Sequence, residues 1–162
     1  TVADALESAL NQKMPYKSTI YCLNDASTDK SVEILNDYAK RYPGRIKIYS
    51  SKINQGSGKK SLFHNRPPVK GRYWCLLDGD DYWTDFFKLQ KQIDFLDSNP
   101  DYVMSFTGHW IKYKDGGYAP SNPSQWLCAT RESEQITTES LLNGNWISYG
   151  RVWKTLMSQK IG

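Results

Sequence analysis

Tyr73-Trp74-Cys75-Leu76-Leu77-Asp78-Gly79-Asp80-Asp81 runs from aromatic and aliphatic side chains straight into three carboxylates. The apolar half reads as a short buried strand, bounded by a turn signal. The carboxylates then fall at the strand's C-terminal end, where open α/β sheets bind their ligands. Charges of one sign this close repel each other. A hard divalent cation, itself gripping phosphate oxygens, is the simplest compensation.

The same reading extends in both directions along the chain. Val2, Ala5, Leu6, Ala9 and Leu10 recur at helical spacing, and Pro15 follows as a stop. Ser18 to Leu23 reads as a strand that ends in Asn24-Asp25-Ala26-Ser27-Thr28-Asp29, where Asp25 or Ser27 can cap the next helix. That helix carries Val32, Leu35, Tyr38, Ala39 and Tyr42 and closes at Pro43-Gly44. Arg45 to Ser50 alternates as a strand, and Asn54-Gln55-Gly56-Ser57-Gly58-Lys59-Lys60 is a glycine-containing loop. Past the acidic turn, Thr84 or Asp85 caps a helix bearing Phe86, Leu89, Ile93 and Leu96. A strand is expected over Tyr102 to Thr107, a hairpin turning at Asp115-Gly116-Gly117, a short helix over Thr138 to Leu142 and a final strand over Ser148 to Lys154. Helix and strand alternate through the first half, which implies a largely parallel sheet with helices on both faces.

With 162 residues, 39% hydrophobic and 23% charged, the chain is read as one soluble globular domain able to bury a core without staples. Its net charge of +4 is spread without a basic block, which argues against a nucleic-acid surface and leaves only a mild attraction to anions or to an anionic membrane face. Cys22, Cys75 and Cys128 match no zinc spacing, and Cys22 and Cys75 read as buried thiols. A reducing cytoplasm fits this usage best. No apolar run approaches the length of a membrane span, so peripheral association with the inner membrane face is the only membrane role expected.

Four segments in order carry a family resemblance. Leu6-Glu7-Ser8-Ala9-Leu10-Asn11-Gln12 resembles the first helix of family 2 glycosyltransferases of the GT-A fold, and Leu23-Asn24-Asp25-Ala26-Ser27-Thr28-Asp29 is similar to that family's Asp-Asp-Gly-Ser-Thr-Asp segment. Asn54-Gln55-Gly56 is similar to its Asn-x-Gly, and Leu77-Asp78-Gly79-Asp80-Asp81-Tyr82-Trp83 to its Asp-x-Asp motif. Asn143-Gly144-Asn145-Trp146-Ile147 and Arg151-Val152-Trp153-Lys154 resemble a later segment on the acceptor side. The fold implied is α/β, a GT-A-like Rossmann-type α/β/α sandwich on a mostly parallel central sheet. It would form a single domain over 1–162, with 1–100 the nucleotide-sugar half and 101–162 a partial acceptor half.

The resemblance implies roles residue by residue. Asp78 would contact the ribose and Asp80 would hold Mn²⁺ or Mg²⁺, with Asp81 orienting the loop or the sugar. Asp25 would accept a hydrogen bond from the base, and Asn24 departs from the first Asp of the family's pair. Lys59 could reach the diphosphate, although a solvated Lys59–Lys60 pair explains those residues as well. Trp83 and Trp146 could stack on a sugar, with core packing the plainer alternative, and His109 reads as structural. The implied reaction is inverting transfer from a nucleotide-diphosphate sugar, a UDP-sugar by family habit, to a hydroxyl of a saccharide or glycolipid acceptor. The alternative is a truncated or degenerate domain that binds nucleotide and metal without turnover.

Other readings fit less well. An EF-hand loop starting at Asp78 would need Gly and Glu where Trp83 and Leu89 stand, and the P-loop spacing is absent around Gly56 and Gly58. The family's first strand is expected before Thr1 and its catalytic base beyond Gly162, so the natural polypeptide is expected to be longer.

Overall fold

The computed structural model describes residues 1–54, 56, 70–120 and 152–154, and for Trp153 the backbone alone. The chain separates into two compact units, Thr1–Gly71 with Asp78–Gln90 and Arg72–Leu77 with Lys91–Gly162. The short helix expected over Thr138–Leu142, the first part of the strand expected from Ser148, and Gln55 and Ser57–Lys60 of the glycine-containing loop lie outside the described residues.

The first unit begins with α1 (Val2–Leu10). Its first turn is closed by Thr1 and Asp4, each bonding the other's backbone N–H in a capping box. β1 (Ile20–Asn24), α2 (Ser31–Arg41) and β2 (Ile46–Ser50) follow. β1 and β2 pair in parallel, Ile20 opposite Ile46 and Asn24 opposite Ser50. A parallel pair needs a crossover, and α2 supplies it. Leu6 and Leu10 of α1, Leu35 and Tyr38 of α2 and Ile46 of β2 form the core, with Ile20, Cys22 and Ile48 packed against it. Both helices therefore cover the same face of the β1–β2 pair. Tyr21 and Tyr49, on alternate positions, meet with ring centroids 6.0 Å apart. Each buried Leu contributes about 1.5–3 kcal/mol to this packing. Arg45 donates to the carbonyl of Leu10 at 3.0 Å and so satisfies one of the orphan groups at the end of α1. Cys22 is half-buried, and that burial pushes its thiol up to about 11, which leaves it a poor nucleophile at neutral pH.

The start of α2 differs from expectation. Neither Asp25 nor Ser27 caps it: the helix opens at Ser31, and Asp29 accepts from the Ser31 N–H at 2.9 Å. The Ser31 hydroxyl and N–H hold the Asp29 carboxyl below its ordinary range. The reason for the later start lies upstream. The Asn24 side-chain oxygen takes the Ser27 N–H at 3.1 Å, so residues 24–27 close their own turn before a helix can begin.

In the second unit, β3 (Tyr73–Cys75) and β4 (Met104–Ser105) both pair antiparallel with β7 (Val152–Lys154), which lies between them. β3 and β4 thus run parallel to each other. β3 was expected to be buried, but all three of its residues are half-buried. The ladder ends at Cys75, and Leu76 and Leu77 continue outside it. The strand expected over Tyr102–Thr107 contracts to β4. α3 (Lys88–Ser98) sends Asp97 back to Arg72 at 2.7 Å and to the Tyr73 hydroxyl, tying the entrance of β3. β5 (Trp110–Lys112) and β6 (Tyr118–Pro120) form the expected hairpin. Gly116 takes φ +87° in its turn, a left-handed conformation that suits glycine. Among the described residues no helix is long and apolar enough to cross a membrane.

Candidate functional site

Parallel pairing places the C-terminal ends of β1 and β2 side by side, and the loops that leave them meet. The Asp25 carboxylate accepts from the Gly56 N–H at 3.1 Å, across 31 residues of sequence. Gly56 N–H also lies 2.9 Å from the Asn54 side-chain oxygen, and Gly56 has φ +67°. Two segments singled out from the sequence, Asn24–Asp29 and Asn54–Gly56, are therefore one structural feature.

Asn24 anchors that feature from below. It is buried, donates from Nδ2 to the Ser50 hydroxyl at 3.3 Å and accepts from Ser27 N–H, while its carbonyl takes the Ser51 N–H at 2.8 Å. An amide can donate and accept at once, which a carboxylate in this place could not do. Asp25 sits half-buried immediately above.

Asp78, Gly79 and Asp80 are exposed, and Asp81 is half-buried. The turn is closed by the Asp81 N–H on the Asp78 carbonyl at 3.1 Å. Among the described residues no group of three His, Cys, Asp or Glu side chains converges to form a cage. Two exposed carboxylates on one turn suit a different arrangement. Mg²⁺ or Mn²⁺ held by one or two carboxylates is completed by substrate phosphates. Asp78 and Asp80 fit that donor set.

Trp83 is half-buried, and the Lys88 ammonium lies 4.6 Å from its ring centroid. Lys88 is buried, so the ring and the first turn of α3 brace each other through a cation–π contact. His109 is half-buried. Lys59 and Trp146 lie outside the described residues.

Sequence reasoning missed three contributors: Gln12, Lys88 and the backbone of Ala26. Gln12 is buried, and its amide reaches the carbonyl of Asp85 at 2.8 Å and the N–H of Leu89 at 3.0 Å. The segment just past α1 thereby caps the start of α3, after the acidic turn.

Comparison with known proteins settles the family. Residues 1–154 match the family model described as Glycosyl transferase family 2. The chain belongs to glycosyl transferase family 2. The fold is accordingly GT-A, an α/β class, with β1, α2 and β2 as its parallel nucleus.

Relatives point the same way. An uncharacterized protein of Mycobacterium tuberculosis is 29% identical over 93% of this chain and 42% of its own length. EpsE of Bacillus subtilis, a glycosyltransferase by name, is 36% identical over 67% of this chain and 38% of its own. The poly(ribitol-phosphate) beta-glucosyltransferase of Bacillus spizizenii is 34% identical over 54% of this chain and 15% of its own. The chain thus spans less than half the length of each of these relatives.

The family 2 resemblance also explains Ala26. It stands where the family segment has Gly, and its φ is +53°. A Cβ in that conformation costs about 1–2 kcal/mol, offset in part by the lower unfolded-state entropy of Ala. Ala26→Gly is expected to raise stability by about 1 kcal/mol, read as an increase in the urea midpoint at unchanged slope. A fall in the midpoint would contradict the strain.

Proposed function

We propose that this family 2 domain binds a nucleotide-diphosphate sugar, a UDP-sugar first, and presents it for inverting transfer to a hydroxyl of a saccharide or glycolipid acceptor. The observation that carries this reading is the 3.1 Å bond between Asp25 and Gly56. It joins two motif loops at the C-terminal edge of a parallel strand pair, the position at which α/β folds take up ligands. The acidic turn Asp78–Asp81, exposed over its first three residues, belongs to the same compact unit.

The roles follow from the chemistry of each position. Asp25 accepts a hydrogen bond from the imide N–H of the base. Asp78 accepts from the ribose hydroxyls, and Asp80 supplies the carboxylate for Mn²⁺ or Mg²⁺. That dication, when bound, offsets the charge of the departing diphosphate. Asp81, tied into the turn by its own N–H, keeps Asp78 and Asp80 in register. Lys59 adds positive charge toward the diphosphate, and Trp83, steadied by Lys88, offers ring surface to the sugar. The poly(ribitol-phosphate) in the name of the Bacillus spizizenii relative suggests a polyol-phosphate polymer as one acceptor class, with the cytoplasmic membrane face as the place of work.

Thermal melting with UDP, GDP and dTDP, each with and without Mn²⁺, tests the reading. UDP with Mn²⁺ is expected to give the largest shift. With free ligand at about a hundred times Kd, linkage supplies about 2.7 kcal/mol, or roughly 5–10 °C for a chain of this size. Equal melting points across all nucleotides and metals would refute it.

A further inference from the structure

We infer that Asn54 is a positioning residue for base selection, acting through the Gly56 N–H on Asp25. This rests on the reading of Asp25 as the acceptor for the base. Gly56 N–H is shared by Asn54 Oδ1 at 2.9 Å and Asp25 Oδ2 at 3.1 Å. The Asn54 side chain closes a local turn on that N–H, and Gly56 takes a left-handed φ of +67° as the chain leaves it. A Cβ added at Gly56 would meet nothing closer than Asn54 Oδ1 at 3.9 Å, so the demand for glycine comes from φ and not from space.

Among the described residues, Asp25 is held from two sides. Below, Asn24 bonds Ser27 and Ser50 and sets the turn on which Asp25 sits. Beside it, Gly56 N–H fixes the carboxylate's rotation. A carboxylate oriented in this way presents a set acceptor edge to an incoming base. Uracil, thymine and guanine carry an imide-type N–H that such an edge can accept. Cytosine and adenine place a lone pair there and are repelled. Discrimination by a hydrogen bond is steep only when the protein partner cannot rotate away to water or to another atom. Asn54 supplies that rigidity without touching the nucleotide.

The test compares UDP with CDP by calorimetric titration in Mn²⁺. The two share ribose, diphosphate and metal, so their affinity ratio isolates the base. The wild-type domain is expected to favour UDP by at least about tenfold, and Asn54→Ala to bring the ratio below about threefold. Asn54→Ser, a shorter and weaker acceptor, should fall between them. If the wild type is selective and Asn54→Ala is equally so, the inference fails while the role of Asp25 stands. If the wild type binds UDP and CDP alike, the role of Asp25 itself fails and this inference with it. Should Asn54→Ala not fold, Asn54→Ser carries the same comparison, and an unchanged ratio again overturns the inference.

Discussion

Asp80→Ala is expected to abolish the part of the UDP-induced melting shift that depends on Mn²⁺, while leaving the melting point of the free protein within about 1 °C. Asp80 is exposed on a turn whose closing bond, from Asp81 N–H to the Asp78 carbonyl, is backbone to backbone. Removing an exposed side chain that makes no such bond changes stability by less than about 0.5 kcal/mol. Its effect on metal binding is of another order. A hard dication shared with a diphosphate has one or two protein carboxylates among its ligands, so the loss of Asp80 removes half or more of the protein's share. The metal-dependent part of the shift should vanish, and UDP-sugar hydrolysis or transfer should fall by at least about a hundredfold. Asp78→Ala, by contrast, should retain a reduced metal-dependent shift and weaken UDP with and without metal, because the ribose contact is what it removes. A full Mn²⁺ response in Asp80→Ala would dispose of the acidic turn as the metal site.

The acidic turn and the parallel nucleus were legible because local patterns specify them. Alternating residues in Ile46–Ser50, the helical spacing of Leu35 and Tyr38, and the glycine pair after Asp115 each act within a few residues, and each element stands where the pattern put it. The misreadings share a different cause. Asp25 and Ser27 have the chemistry of helix caps, yet Asn24 removes the Ser27 N–H from use, and the helix waits for Ser31. β3 looked buried because its composition is apolar. Its ladder runs for three residues only, and its neighbour β7 arrives from residues 152–154, a pairing no local window contains. The same holds at the site. Asp25 and Gly56 were each singled out, but their bond spans 31 positions and only the parallel pairing of β1 with β2 implies it. Ala26 carried one signal, the Gly that stands there in the resembling segment.

Gln12→Ala is expected to be the most destabilising of the polar substitutions, by about 3 kcal/mol, and to weaken metal-dependent UDP binding although Gln12 touches no ligand. Gln12 is 7% exposed. Its Nε2 donates to the Asp85 carbonyl at 2.8 Å and to the Ser8 carbonyl at 3.4 Å, and its Oε1 accepts from Leu89 N–H at 3.0 Å. Leu89 N–H belongs to the first turn of α3, where no carbonyl of the helix itself can serve it. Alanine would strand that buried donor, at about 1–3 kcal/mol, and would also remove the bond to the Asp85 carbonyl, which keeps Lys88 N–H at 3.2 Å, for about 1 kcal/mol more. For a chain of this size, 3 kcal/mol corresponds to roughly 6–12 °C in melting point. Lys13 N–H on the Phe86 carbonyl at 2.7 Å is a second tie between the same segments, so the fold should survive the substitution. The functional consequence follows from the order of the chain. Asp85 lies four residues past Asp81, and the Gln12 amide, beside Lys13 N–H, ties that segment to the stretch that follows α1. Loosening it frees the acidic turn at its downstream end, and the turn must then be ordered at the expense of binding. Gln12→Met, which fills the space without either bond, separates packing from hydrogen bonding: it should recover less than half of the lost stability. If Gln12→Ala melts within 2 °C of the wild type, the buried amide is not the strut this geometry describes.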